Sequence, residues 1–104
     1  MNPHHTHYDA VIVGARAAGA STAMLLARAG LDVLVVDKAP AGADTLSSHA
    51  LMRHAVSQLE RWGLIPALVD AGTPAIRRTV FSYPGNDVAI DIRPEGDAEG
   101  LYAP

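Results

Sequence analysis

Three observations predict an α/β fold. A run of three β-formers, Val11, Ile12 and Val13, leads into a glycine-punctuated segment, G-A-R-A-A-G, that opens a helical stretch of small residues. A second β-rich run, Val33 to Val36, ends in an acid, Asp37. Beyond Thr73 and Pro74 the hydrophobic period shortens from helical spacing to two. The chain is therefore expected to begin as a βαβ unit, pass through a pair of helices and continue as an antiparallel β-hairpin.

The first strand is expected to be parallel and covered on both faces, because its successive residues are all apolar. Gly14 lets the chain turn tightly out of it, and Gly19 lets the following helix approach closely. That helix, from about Ala17 to Ala29, carries Gly19, Ala23 and Leu26 along one stripe, and Gly30 is placed to end it as a left-handed cap. The stretch K-A-P-A-G-A-D-T-L-S-S-H reads as a loop, with Ser47 or Ser48 capping the next helix. That second helix is expected from about His49 to Trp62. Its core face would carry Leu51, Ala55, Leu59 and Trp62, widened by Met52 and Val56, with Gly63 as its stop. A short helix follows, with Pro66 in its first turn and Gly72 at its end. Val88, Ile90 and Ile92 alternate with polar or small residues, and Arg77 to Tyr83 is rich in β-formers. P-G-N-D then makes the turn of a hairpin over residues 76–93. The tail P-E-G-D-A-E-G-L-Y-A-P shows no period.

With 104 residues, 49% of them hydrophobic, the chain has the composition of one globular domain. Eleven acids against eight Lys and Arg give a net charge of −3 with no basic stripe, which argues against nucleic acid as a partner. No apolar run approaches the roughly 18 residues of a membrane span, and the opening M-N-P-H-H-T-H-Y-D is too polar for a secretory signal. A cytoplasmic, soluble protein is expected. The absence of cysteine excludes a disulfide framework and a thiolate metal site. His4, His5 and His7 are read as part of a frayed tail, and no metal site is assigned to them.

Strand, glycine turn, helix, strand and acid, in that order, make a dinucleotide-binding unit. A pyrophosphate at the turn would meet unpaired N–H groups and the positive end of the helix dipole. Asp37 follows Gly14 near the roughly 20-residue offset at which an acid accepts bonds from ribose hydroxyls. Arg16 replaces the middle glycine of the usual fingerprint. A guanidinium there meets phosphate oxygens with charge-assisted bonds, provided its Cβ points away from the ligand. Only two parallel strands are supplied where a doubly wound sheet has five or six, so the chain is expected to be the first portion of a larger protein. The unpaired edge of the first strand invites self-association.

Nearly the whole chain resembles the FAD-dependent oxidoreductases of the aromatic-hydroxylase and geranylgeranyl-reductase type. The resemblance lies in V-I-V-G-A-R-A-A-G-A-S-T-A-M-L-L-A-R-A-G, V-L-V-V-D-K-A, D-T-L-S-S-H-A-L-M-R, L-E-R-W-G-L, A-G-T-P-A-I-R-R-T-V-F and L-Y-A-P. The glycine segment fits many dinucleotide binders, whereas D-T-L-S-S-H-A-L-M-R and R-W-G-L are more specific to this group. Relatives with arginine at the middle glycine also occur, so Arg16 looks like a family variant. The resemblance implies a partial Rossmann-type FAD-binding unit and assigns site residues within it. Gly14, Arg16 and Gly19 would surround the FAD diphosphate, Asp37 would bind the adenosine ribose, and Lys38 would lie over the adenine edge. Ser48, His49 and Arg53 would approach the diphosphate or ribityl region. Residues 1–7 would then be a flexible tail, 8–74 the N-terminal part of the FAD-binding domain, and 75–104 the hairpin that starts a substrate-binding domain.

The implied activity is a monooxygenase or reductase acting on a small molecule, with NAD(P)H as electron donor; the chain alone is expected to be inactive. No residue is assigned a catalytic role. Two alternatives remain at this point. An NAD-binding dehydrogenase domain would share the fingerprint, and Asp37 suits NAD or FAD while repelling the extra phosphate of NADP. A non-enzymatic remnant or interaction module would use the open sheet edge.

Overall fold

A computed structural model describes residues 6–43, 46 and 49–104. The expected tail falls mostly outside these residues, as do His4, His5, Ser47 and Ser48. The chain divides into two compact units, Met1–Thr45 and Leu46–Pro104.

The first unit is a βαβ element. β1 (Ala10–Val13) and β2 (Val33–Val36) pair in parallel, with Ala10 opposite Val33 and Val13 opposite Val36. α1 (Ala17–Arg28) connects them and covers one face of the pair, with Ala23 buried beneath it. Asp9 ties the two strand starts together: its amide donates to the Asp32 carbonyl at 2.8 Å, and its Oδ2 accepts from the Asp32 amide at 2.7 Å. The expected covering of the strand on both faces is met on one face only within this unit. Ile12 faces the helix, whereas Val11 and Val13 on the opposite face are 55% and 84% exposed. The cause is the alternation of side chains along a strand, which sends odd and even residues to opposite faces while one helix covers one of them.

The second unit begins with α2 (Arg53–Arg61) and α3 (Ile65–Asp70). α2 starts later than the expected His49, and its N-cap is Met52 rather than a serine. The reason is a long-range pairing. Leu51 is held extended by a bridge to Tyr102, with N to O distances of 2.7 and 3.4 Å, and His49 has a positive φ of 55°. The buried face of α2 also differs from expectation. Val56 is fully buried and Leu59 packs beside it, while Ala55 is exposed and Trp62 only half-buried, outside the central cluster.

β3 (Ala75–Ile76) pairs antiparallel with β6 (Leu101–Tyr102), and β4 (Arg78–Tyr83) pairs antiparallel with β5 (Asn86–Asp91). The hairpin is thus shorter than residues 76–93, because Ile76 is drawn into the pairing with β6. Pro84 and Gly85 form its turn, and Tyr83 lies opposite Asn86. The tail without a period contains the core of the unit. Glu95 and Ala98 exchange two backbone hydrogen bonds of 2.9 and 2.8 Å across a tight turn, which returns the chain into the interior. Val56, Ile65, Ala98, Leu101 and Tyr102 form the buried cluster, flanked by Leu51, Leu59, Leu68, Ala75, Ile76 and Ile92. The Tyr102 hydroxyl is not orphaned there, since it accepts from the Glu99 amide at 3.2 Å.

Candidate functional site

The turn between β1 and α1 has a backbone that the sequence allows at few residues. Gly14 takes φ 102°, a conformation L side chains rarely adopt, while its amide extends the sheet by donating to the Val36 carbonyl at 2.7 Å. A Cβ built on Gly19 would lie 1.7 Å from the Gly14 carbonyl oxygen and 3.2 Å from Ile12 Cγ2. The first turn of α1 therefore rests directly on the backbone that leaves β1. Arg16 is the N-cap, extended in its backbone, and its carbonyl accepts the first helical bond from Ala20 at 2.8 Å. Among the described residues, no side chain caps this helix and no acid stands in its first turn.

Asp37 follows β2 directly, and its carboxylate reaches across to the turn. Oδ2 accepts from the Ala15 amide and Oδ1 from the Ala39 amide, each at 2.8 Å. These bonds hold the carboxyl below its usual pKa, the Ala15 bond most and the Ala39 bond next, against a smaller opposing effect of burial and with help from the positive charges of Arg16 and Lys38. A pocket of about 320 Å³ opens here, lined by Ala15, Arg16, Val35, Asp37 and the small-residue stretch Ala39–Pro40–Ala41–Gly42–Ala43. Lys38 is exposed. The turn residues Gly14, Arg16 and Gly19 and the acid end of β2 are thus gathered in one unit.

His49 and Arg53 belong to the second unit. His49 is exposed, at the left-handed position before α2. Arg53 donates from Nη2 to the Arg93 carbonyl at 2.6 Å and lies 3.6 Å from Glu95, whose Oε2 also accepts from Ser57 Oγ at 2.5 Å. Its guanidinium therefore ties the start of α2 to the segment after the hairpin. Ser48 lies outside the described residues. Arg77 pairs with Glu99, and Arg78 pairs at 2.7 Å with Asp91, its opposite neighbour in the hairpin; both pairs are exposed and contribute little to stability. Reading the sequence by side-chain type missed the Ala15 and Ala39 amides and the wall from Ala39 to Ala43. The small-residue run A-P-A-G-A was the available signal for that wall.

The family described as FAD binding domain matches residues 7–99. The chain belongs to the FAD binding domain family. Its members bind FAD, and FAD is the cofactor of this chain. The first unit fits that cofactor in one respect that geometry alone tests. A Cβ built on Gly14 meets nothing within 4 Å among the described residues, so the space on that side of the turn backbone is open. The FAD-binding chain is 43% identical over 60 residues to a menaquinone reductase of Mycolicibacterium smegmatis, a stretch that is 58% of this chain and 15% of that protein. It is 44% identical over 62 residues to a menaquinone reductase of Mycobacterium tuberculosis, covering 60% of this chain and 15% of the relative. It is 40% identical over 53 residues to a probable electron transfer flavoprotein-quinone oxidoreductase of Escherichia coli, covering 50% and 12% respectively. The chain thus matches a small part of the length of these relatives. No solved structure matches it. Among the described residues, no helix is long and apolar enough to cross a membrane.

Proposed function

We propose that the first unit holds the adenosine-diphosphate end of FAD in a flavin-dependent oxidoreductase, and that the reaction served is a reduction, with a quinone as the class of substrate. The observation that carries the reading is the pocket shared by Arg16 and Asp37 beside an uncapped helix N-terminus. In this reading Gly14 and Gly19 set the turn, and the first-turn amides with the Arg16 guanidinium meet the diphosphate. Asp37 has two acceptor positions left after its bonds to Ala15 and Ala39, enough to receive ribose hydroxyls. Lys38 lies at the adenine edge, and Ser48, His49 and Arg53 serve the diphosphate or ribityl region. The bound flavin supplies two-electron chemistry, with NAD(P)H as donor.

The names of the relatives favour reduction of a quinone over oxygen activation. The hairpin supports an apolar substrate. Phe81, Val88 and Ile90 share one of its faces with Tyr83, and all four are exposed. Residues 75–104 would on this reading begin the substrate-binding part.

Titrating the chain with FAD, ADP and FMN tests the site. FAD and ADP should bind with similar affinity, and FMN, which lacks the adenosine end, should not bind measurably. Arg16→Ala should weaken FAD and ADP alike by roughly tenfold, the worth of one partly exposed charge-assisted bond. Binding of FMN as tight as FAD, or an Arg16→Ala variant with unchanged affinity for ADP, would contradict the assignment.

A further inference from the structure

Asp37 does more in this fold than present an acid to a ribose. Its two oxygens bond the amides of Ala15 and Ala39, two residues that line the same pocket. Ala15 sits in the middle of the glycine turn, between Gly14 at the end of β1 and Arg16 at the N-cap of α1. Gly14 has no Cβ to restrict its backbone, and its amide is tied to the Val36 carbonyl while the peptide that follows leads to Ala15. A bond to the Ala15 amide removes much of the remaining freedom. Both backbone groups donate, so their partner must accept twice. A carboxylate does this, whereas an amide side chain offers one acceptor and one donor.

We propose that Asp37 is a positioning residue for diphosphate recognition: its carboxylate clamps the Ala15 amide and so fixes the orientation in which Arg16 and the first-turn amides of α1 meet a diphosphate. The proposal deepens the FAD reading above and rests on it. It also has a sign that a ribose contact lacks. Asp37 carries a negative charge beside an anion site, so an acid that served only the ribose would, once neutralised, leave binding of a ribose-free diphosphate unchanged or tighter. A clamp predicts the opposite. Among the described residues, the charged groups that act on the carboxylate are Arg16 and Lys38, and both favour its ionised form. The clamp is whole above the ordinary carboxylate range and is lost as pH falls through the lower folded-state value.

Amide-resolved NMR of the 104-residue chain, with inorganic pyrophosphate as the probe, tests this. In the free wild type, the Ala15 and Ala39 amide signals should move together with the Asp37 carboxylate as pH is lowered. Pyrophosphate should shift the amides from Arg16 to Gly19, and Asp37→Asn should weaken that binding by roughly tenfold. Asp37→Glu, which keeps both acceptors, should recover part of the loss. Pyrophosphate binding that is unchanged or tighter in Asp37→Asn would overturn the proposal. So would an Ala15 amide indifferent to the carboxylate, a measurement that needs no variant to fold. If the two amides follow Asp37 but pyrophosphate shifts nothing in the wild type, the clamp stands while the diphosphate reading beneath it fails, and the role in recognition falls with it.

Discussion

Replacing Gly19 with alanine is expected to lift α1 off the glycine turn and abolish FAD binding. The new Cβ would lie 1.7 Å from the Gly14 carbonyl oxygen and 2.9 Å from its carbon, and both belong to backbone that cannot rotate away. Inserting extra methyl groups into a packed contact costs about 1 to 3 kcal/mol, and a clash with backbone belongs at the upper end of that range. The unit has little to set against it, since Ala23 is its one buried apolar residue among those described. Gly14→Ala is a useful contrast. A Cβ there meets nothing within 4 Å, so its cost is the positive φ alone, about 1 to 2 kcal/mol. Thermal unfolding and ADP binding measured on both variants should rank Gly19→Ala as the more damaging in each.

The second large effect is expected at Tyr102. The side chain is 1% exposed, packs in the cluster with Val56, Ile65, Ala98 and Leu101, and its backbone pairs with both Ala75 and Leu51. Truncating a buried aromatic to alanine costs about 4 kcal/mol, a large share of the stability of a small unit. Tyr102→Ala should therefore unfold the second unit, read as loss of amide-exchange protection across α2, α3 and β3. Tyr102→Phe should keep the fold and lose only the bond from the Glu99 amide, about 1 kcal/mol.

These two positions show what the sequence could and could not reveal. Gly19 was legible because its role is local: a small residue in the first turn of a helix that leaves a strand has one common cause, close approach of backbone. The same locality exposed Gly14, Asp37 and the strand, helix and strand between them. Tyr102 was not legible. A strand of two residues has no period, and its burial comes from partners far away in sequence, at Leu51 and Ala75. That same pairing moved the start of α2 from His49 to Arg53 and turned its buried face from Ala55 and Trp62 towards Val56. One signal in the tail pointed the right way. Gly96 and Asp97 between Glu95 and Ala98 are turn formers, and a turn there sends the following apolar residues back inward. At the site, the acid was visible in the sequence while its partners were not, because the Ala15 and Ala39 amides are backbone groups without a side-chain signature.

In the proposed function, the first unit holds the adenosine-diphosphate end of FAD at the turn and the pocket beside Asp37. The most direct measurement is an ADP titration of the chain followed amide by amide in a ¹⁵N-resolved spectrum. Saturable shifts are expected from Gly14 to Gly19 and from Asp37 to Gly42, with the hairpin strands β4 and β5 unmoved. Shifts centred on the hairpin, or a turn that stays silent while ADP binds elsewhere, would contradict the account.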